Sequence, residues 1–328
     1  MTVGGAEGKK APALFDAHCH LDWEADPAAV ARACGQRGVA LACCTVTPPA
    51  FLAARGALAA APNVVLGVGA HPWWVADGRV GQADVDLAAE LAAEVPLVGE
   101  VGLDFSPARS DAAGNQAQVR ALARICGAAA VGAEGGTAGQ RAISLHAVRS
   151  AGACLDVLEA TGAAARCRCV MHWFSGSSDE LGRALRLGCS FSVGERMLAT
   201  RRGREYARQL PAARLLAQSP DQGGEIRPGR VLEIQQYAGV APAPAFPQNG
   251  PAQRLGALHR RYIPVTERHQ AAPGFQQEVP PQQRRVRSNA VGGVAERTVV
   301  AGGFPDIFRC CGEIDLQCEL PLVGYALS

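Results

Sequence analysis

From Leu14 to about Gln218 the sequence alternates short apolar runs with longer stretches of helical spacing, and that rhythm leaves few folds open. Strands are predicted at residues 13–18, 38–47, 64–70, 97–103, 142–146, 169–173, 189–193 and 214–217. Between them, helices are predicted over residues 27–37, 83–94, 117–130 and 178–187, the last opening on the helix-start signal Ser177-Ser178-Asp179-Glu180. Parallel strands need a long crossover between neighbours, so strict alternation implies a parallel sheet. Eight strands in about 200 residues predict an α/β fold of the TIM-type (β/α)8 kind, at the small end of its range. A doubly wound open sheet has the same periodicity and stays open as the alternative.

The rhythm stops after Gln218. Residues 219–300 are rich in Pro, Gln, Gly and Arg and lack hydrophobic periodicity, which predicts disorder or irregular structure. The expected organisation is a flexible leader over 1–13, a barrel over 14–217 and an atypical segment over 218–328. A change of reading frame or an unrelated fusion would explain that segment. The leader, MTVGGAEGKKAPA, has no apolar core of a signal peptide, and no run reaches the ~18 apolar residues of a membrane span, so a cytoplasmic location is expected. A net charge of +2 in 328 residues gives no global pull toward nucleic acid or membrane. No feature calls for an obligate protein partner. The 12 cysteines are scattered without CxxC pairs, and several sit in apolar runs, so they read as buried free thiols.

The polar residues cluster where strands end. "FDAHCHLD" closes the first strand, and simple alternation puts Asp16, His18 and His20 on one face and Ala17 and Cys19 on the other. The third strand ends in "GVGAHPWW" with His71, and the fourth in "VPLVGEVGLDF" with Glu100 and Asp104. The fifth ends in "AISLHAV" with His146, and the sixth in "CVMHWFSGS" with His172. Each alone has an ordinary structural reading. Together, HxH, one carboxylate and single histidines at the carboxyl ends of separate strands point to coordinated metal. Imidazole and carboxylate donors suit zinc, manganese or a similar divalent ion, with magnesium less well matched. So many donors around one shared glutamate fit one or two ions.

In order and spacing these five motifs resemble the TatD family of metal-dependent hydrolases, a branch of the amidohydrolase-like barrels that includes deoxyribonucleases. The resemblance covers residues 14 to about 217. It implies phosphodiester hydrolysis by a metal-activated water, with DNA as substrate. By motif, His18 and His20 would bind one ion, His146 and His172 a second, and Glu100 would bridge as the catalytic carboxylate. His71 and Asp104 match pocket-lining positions and are assigned to substrate binding or to support of the ligands.

One motif departs. The family's last strand ends in a leucine pair followed by Glu-Thr-Asp, whose Asp completes the first metal site. Here Leu215-Leu216-Ala217 runs into Gln218-Ser219-Pro220-Asp221, so the carboxylate position falls on Pro220 and Asp221 comes one residue late. Two other functions therefore stand beside the nuclease. One is an amidohydrolase acting on a small amide or lactone, although the only lysines, Lys9 and Lys10, leave no bridging lysine in the barrel. The other is a catalytically impaired binding protein. For nucleic acid, the residues themselves offer only Arg201, Arg202, Arg204 and Arg208 for phosphate and Trp73, Trp74, Trp173 and Phe174 for base stacking.

Overall fold

The computed structural model describes residues 14–134 and 141–219. The leader, Pro220, Asp221 and the segment beyond lie outside the described residues. The eight strands are β1 (Leu14–Cys19), β2 (Val39–Cys44), β3 (Val64–Val68), β4 (Leu97–Asp104), β5 (Ala142–Val148), β6 (Arg168–His172), β7 (Ser190–Val193) and β8 (Leu215–Ala217). All pair in parallel in sequence order, and β8 returns to β1, so the sheet is a closed barrel. Closure rules out the doubly wound alternative.

Ten helices cover the outside among the described residues: α1 (Pro27–Gln36), α2 (Pro48–Ala57), α3 (Pro72–Ala76), α4 (Gln82–Ala92), α5 (Ala112–Glu134), α6 (Ala151–Ala160), α7 (Ala163–Arg166), α8 (Ser178–Arg186), α9 (Glu195–Ala199) and α10 (Arg201–Gln209). Local chemistry explains their starts. Asp26 caps α1 by accepting from the Ala29 N–H at 2.8 Å, with Pro27 in the first turn where no N–H is needed. Ser177 and Glu180 form a reciprocal capping box at α8. None of these helices is long and apolar enough to cross a membrane.

The core has two layers. Phe51, Leu91, Ile125, Leu155 and Phe191 belong to the larger layer, between strands and helices. Phe15, Ala17, Ala42, Cys44, Leu97 and Ala142 form a separate cluster from β1, β2, β4 and β5. Residues of β1 and β5, on opposite sides of the ring, can meet only through the barrel interior. That interior plug is small, which leaves the carboxyl end of the barrel to polar side chains. The cysteines of the described residues are all buried free thiols.

Two bulges set what points inward. On β1, Asp16 pairs with Leu41 and Cys19 with Cys43, so three steps on one strand match two on the other. Ala17 and His18 therefore both face the interior, while Asp16 and Cys19 face outward with Leu41 and Cys43. This corrects the simple alternation, which placed Asp16 with the histidines. The Asp16 carboxylate instead accepts hydrogen bonds from the Ser219 N–H at 3.0 Å, the Ser219 hydroxyl and the His18 N–H at 3.2 Å. It is fully buried and ties the end of β8 to β1, closing the ring. On β4 the same irregularity falls between Val98 and Val101, and it turns Glu100 inward as an extra residue.

The Glu100 backbone is held from two sides. Its N–H donates to the Thr45 carbonyl at 2.7 Å, and its carbonyl accepts from the Ala70 N–H at 3.0 Å. Gly69 makes this approach possible, because a Cβ there would sit 1.7 Å from the Thr45 oxygen.

Two expectations follow. Asp16→Ala strands three buried donors and should lower unfolding free energy by about 3 kcal/mol, read by urea titration; a loss below about 0.5 kcal/mol would contradict the closure role. Gly69→Ala should cost a comparable amount or more through backbone displacement, and a variant of unchanged stability would refute the close approach.

Candidate metal centre

The predicted ligands converge. His18, His20, His71, His146 and His172 surround the Glu100 carboxylate at the carboxyl end of the barrel, each less than a tenth exposed. The two carboxylate oxygens face different rings. Oε2 lies 3.6 Å from His18 Nε2 and 3.4 Å from His20 Nε2. Oε1 lies 2.8 Å from His146 Nδ1, 2.8 Å from His172 Nε2 and 3.2 Å from His71 Nε2.

The first set fits a divalent ion. Donors about 2.1 Å from one ion stand about 3–3.5 Å from each other at ordinary coordination angles. His18 Nε2 and His20 Nε2 are 3.2 Å apart, which with the distances to Oε2 gives a triangle of that size. Burial and the neighbouring His172 ring push the His18 imidazole down to about 4, so it stays neutral and keeps a lone pair available. The other ring nitrogen of His18 lies 2.8 Å from the Ser144 hydroxyl, which can hold the Nδ1 proton and leave Nε2 free to bind.

In the second set, His146 has a carboxylate on each nitrogen, with Asp104 Oδ2 3.2 Å from Nε2. Burial alone would lower its pKa, but the hydrogen bonds to Asp104 and Glu100 raise it to about 9. Burial would likewise raise Glu100, yet the facing His71 and His172 rings and the hydrogen bonds from His146 and His172 hold it well below the usual carboxylate range. Asp104 is also held low: hydrogen bonds from His146, Ser106 and Trp73 outweigh its burial. A carboxylate behind a ligating imidazole is a recurrent way of orienting the ring.

Proximity alone does not sort the rings. Donor atoms of His18, Glu100 and His172 lie within 4.8 Å of one another, and so do those of His71, Glu100 and His146. Chemistry separates His71. Its Nδ1 accepts the backbone N–H of Trp73 at 3.2 Å, capping α3. A ring nitrogen that accepts a backbone N–H carries no proton, so the proton of the neutral ring sits on Nε2. Nε2 therefore presents a donor to Glu100, and a metal ligand would need a lone pair there. Burial lowers the His71 pKa and favours this neutral form. In this tautomer His71 presents a fixed N–H donor to the Glu100 carboxylate.

Gly102 supports both strands. It pairs with His146, its φ is +143°, and a Cβ would fall 2.0 Å from the His146 carbonyl oxygen. The cleft above the cluster has a volume of about 340 Å3 and is lined by Trp23, Trp73, Trp173 and Ser175 besides Glu100, His20, His71, His146 and His172.

The structure divides the predicted aromatics. Trp73 and Trp173 line the cleft, whereas Phe174 packs in the core against Phe191 and Tyr206, and Trp74 lies under Arg79. Sequence reasoning missed Trp23, which stacks on His20 with ring centres 4.1 Å apart, and Ser144. Both left a signal: an aromatic three residues after the HxH, and a lone hydroxyl two residues before His146 on the same strand face. Three of the four arginines of α10 have internal partners. Arg202 bonds the Gly176 carbonyl and Tyr206, Arg204 bonds the Leu198 and Ala199 carbonyls, and Arg208 pairs with Glu205.

Several solved structures share this fold. YJJV, the TatD homologue of Escherichia coli K12, matches with a TM-score of 0.57 at 20% identity, covering 76% of this chain and 97% of that one. A TatD family hydrolase of Entamoeba histolytica matches with a TM-score of 0.55 at 14% identity, covering 70% and 93%. An uncharacterized amidohydrolase of Saccharomyces cerevisiae reaches 0.50 at 15% identity, covering 68% and 80%. No curated protein matches the sequence. The family model described as TatD related DNase matches residues 15–235, from the first strand of the barrel past the last, and the chain belongs to that family of hydrolases.

Proposed function

We propose that the chain is a divalent-metal-dependent phosphodiesterase that hydrolyses DNA. The observation that carries this reading is the Glu100 carboxylate, whose two oxygens face separate sets of imidazoles at the floor of an open cleft. The family's description as a DNase points the same way. His18, His20 and Glu100 would hold one ion, and His146, His172 and Glu100 a second. A bound divalent ion supplies Lewis acidity toward a phosphoryl oxygen and lowers the pKa of water.

The remaining work falls to side chains. His71 donates from Nε2 to a non-bridging phosphate oxygen once that oxygen replaces Glu100 as its partner. It resists protonation, so it acts as a hydrogen-bond donor rather than as a source of protons. Asp104 keeps the His146 ring turned toward Glu100 and also fixes Trp73, whose Nε1–H it accepts at 2.6 Å. Trp23 and Trp73 hold the cleft walls beside His20 and His71, where they can stack on a base and exclude water.

With Mn2+, Mg2+ or Zn2+, the purified protein should cleave DNA and a simple phosphodiester. Glu100→Gln should lower kcat/KM by about a thousandfold or more. Intact metal binding without cleavage of either substrate would leave the binding-protein reading, and cleavage confined to a small amide or lactone would leave the amidohydrolase. Metal uptake should also release a proton: His146, pushed up to about 9, gives up its Nδ1 proton to become a ligand. Affinity should therefore rise about tenfold per pH unit between 7 and 9 and level off above. Calorimetric titration in buffers of different ionisation heat reads that proton, and a pH-independent affinity would contradict the assignment of His146. Finally, His71→Gln should reduce turnover while metal stoichiometry stays at the wild-type value; loss of one bound ion would make His71 a ligand.

A further inference from the structure

Two cations that the hydrolytic chemistry leaves unused adjoin residues of the cleft wall, Arg109 over Trp73 and Arg149 next to Val148 in the chain. Arg109 is exposed in the loop between β4 and α5, with its guanidinium carbon 4.0 Å from the centre of the Trp73 ring. Trp73 stands edge-on to His146 with ring centres 6.0 Å apart, so these two steps keep the guanidinium within about 10 Å of that ring. The loop is fixed to the metal centre. Asp104 Oδ1 accepts from the Ser106 N–H at 2.9 Å and from its hydroxyl at 2.5 Å, and the Arg109 N–H donates to the Ser106 carbonyl at 2.9 Å. A guanidinium lying on an aromatic face keeps its N–H donors at the edge, arranged for two-point contact with a phosphate. Among the described residues no carboxylate pairs with it.

Arg149 opens the neighbouring loop. The Phe105 N–H donates to the Val148 carbonyl at 2.9 Å, so the loops leaving β4 and β5 run side by side. Arg149 is exposed and has φ +57°, a left-handed conformation that costs energy for a residue with a side chain and tends to occur at functional positions. Arg202, Arg204 and Arg208 contrast with these two, since internal partners occupy their donors.

We propose that Arg109, held on Trp73 and with Arg149 on the adjoining loop, forms an anion subsite for a second phosphate of the substrate, the one next to the bond being cleaved. The preferred substrate is then an oligonucleotide rather than an isolated diester. This rests on the phosphodiesterase reading. A guanidinium within about 10 Å of the His146 ring lies within the span of the phosphate next to one held at the cluster, on the same strand.

The test compares kcat/KM for tetrathymidylate and for bis(p-nitrophenyl) phosphate in wild type, Arg109→Ala, Arg109→Lys, Arg149→Ala, the Arg109→Ala/Arg149→Ala pair and Arg124→Ala. Arg124 pairs with Asp86 between the outer helices and serves as the control for net charge. Arg109→Ala should lower the ratio of oligonucleotide to simple diester about tenfold or more, through KM, and reduce the salt dependence of oligonucleotide KM by about one in logarithmic slope. Arg109→Lys should fall between, and the Arg109→Ala/Arg149→Ala pair should lie below either single change. An unchanged ratio in Arg109→Ala, or an equal fall in Arg124→Ala, would overturn the subsite while leaving the hydrolase intact. If wild type cleaves neither substrate, the phosphodiesterase reading fails and the subsite falls with it.

Discussion

The structure depends on one buried carboxylate among five buried imidazoles. Taking that many polar rings out of water is unfavourable unless hydrogen bonds or cations satisfy them. Glu100 does so as an acceptor for rings on both sides, and the arrangement is possible only because its two oxygens point to different strands of the barrel. A divalent ion can replace the protons these rings would otherwise share. The juxtaposition of His18 Nε2 and His20 Nε2, with room for at most one proton between them, is the clearest sign of that design.

The barrel is shaped to present this group. Alanines and a cysteine fill much of the interior with Phe15 and Leu97, so the plug ends low and the polar layer of Ser144, His146, Glu100 and His172 sits above it. The bulges in β1 and β4 each add an inward residue, His18 and Glu100, at the level where the layer needs one. Hydrogen bonds to the Thr45 carbonyl and from the Ala70 N–H then fix the Glu100 backbone, with Gly69 leaving room for the approach. Asp16 is adjacent in sequence to this chemistry but serves closure, clasping Ser219 at the end of β8.

Most of the architecture was legible because parallel strands, buried on both faces, read as apolar runs between helices with strong caps such as Ser177 and Glu180. The candidate ligands were legible because histidines are scarce and five of the seven stand at or near predicted strand ends. The side of the strand was harder. A bulge leaves no periodicity signal when every residue around it is buried, so Asp16 appeared to share a face with His18. The ring partners were hidden as well, since nothing in "GAHPWW" shows that the Trp73 N–H fixes the His71 tautomer. Arg202 and Arg204 of α10 read equally as phosphate contacts or as a solvated helix face, because sequence shows charge but not the carbonyls that bind it.

Whether ions share Glu100 can be read by anomalous diffraction from crystals grown with Mn2+ or Zn2+. Density should stand on both sides of the Glu100 carboxylate, one peak within coordination reach of His18 and His20 and the other of His146 and His172, with none bonded to His71 Nε2. Metal bound elsewhere in the chain, with no density at Glu100, would contradict the shared site.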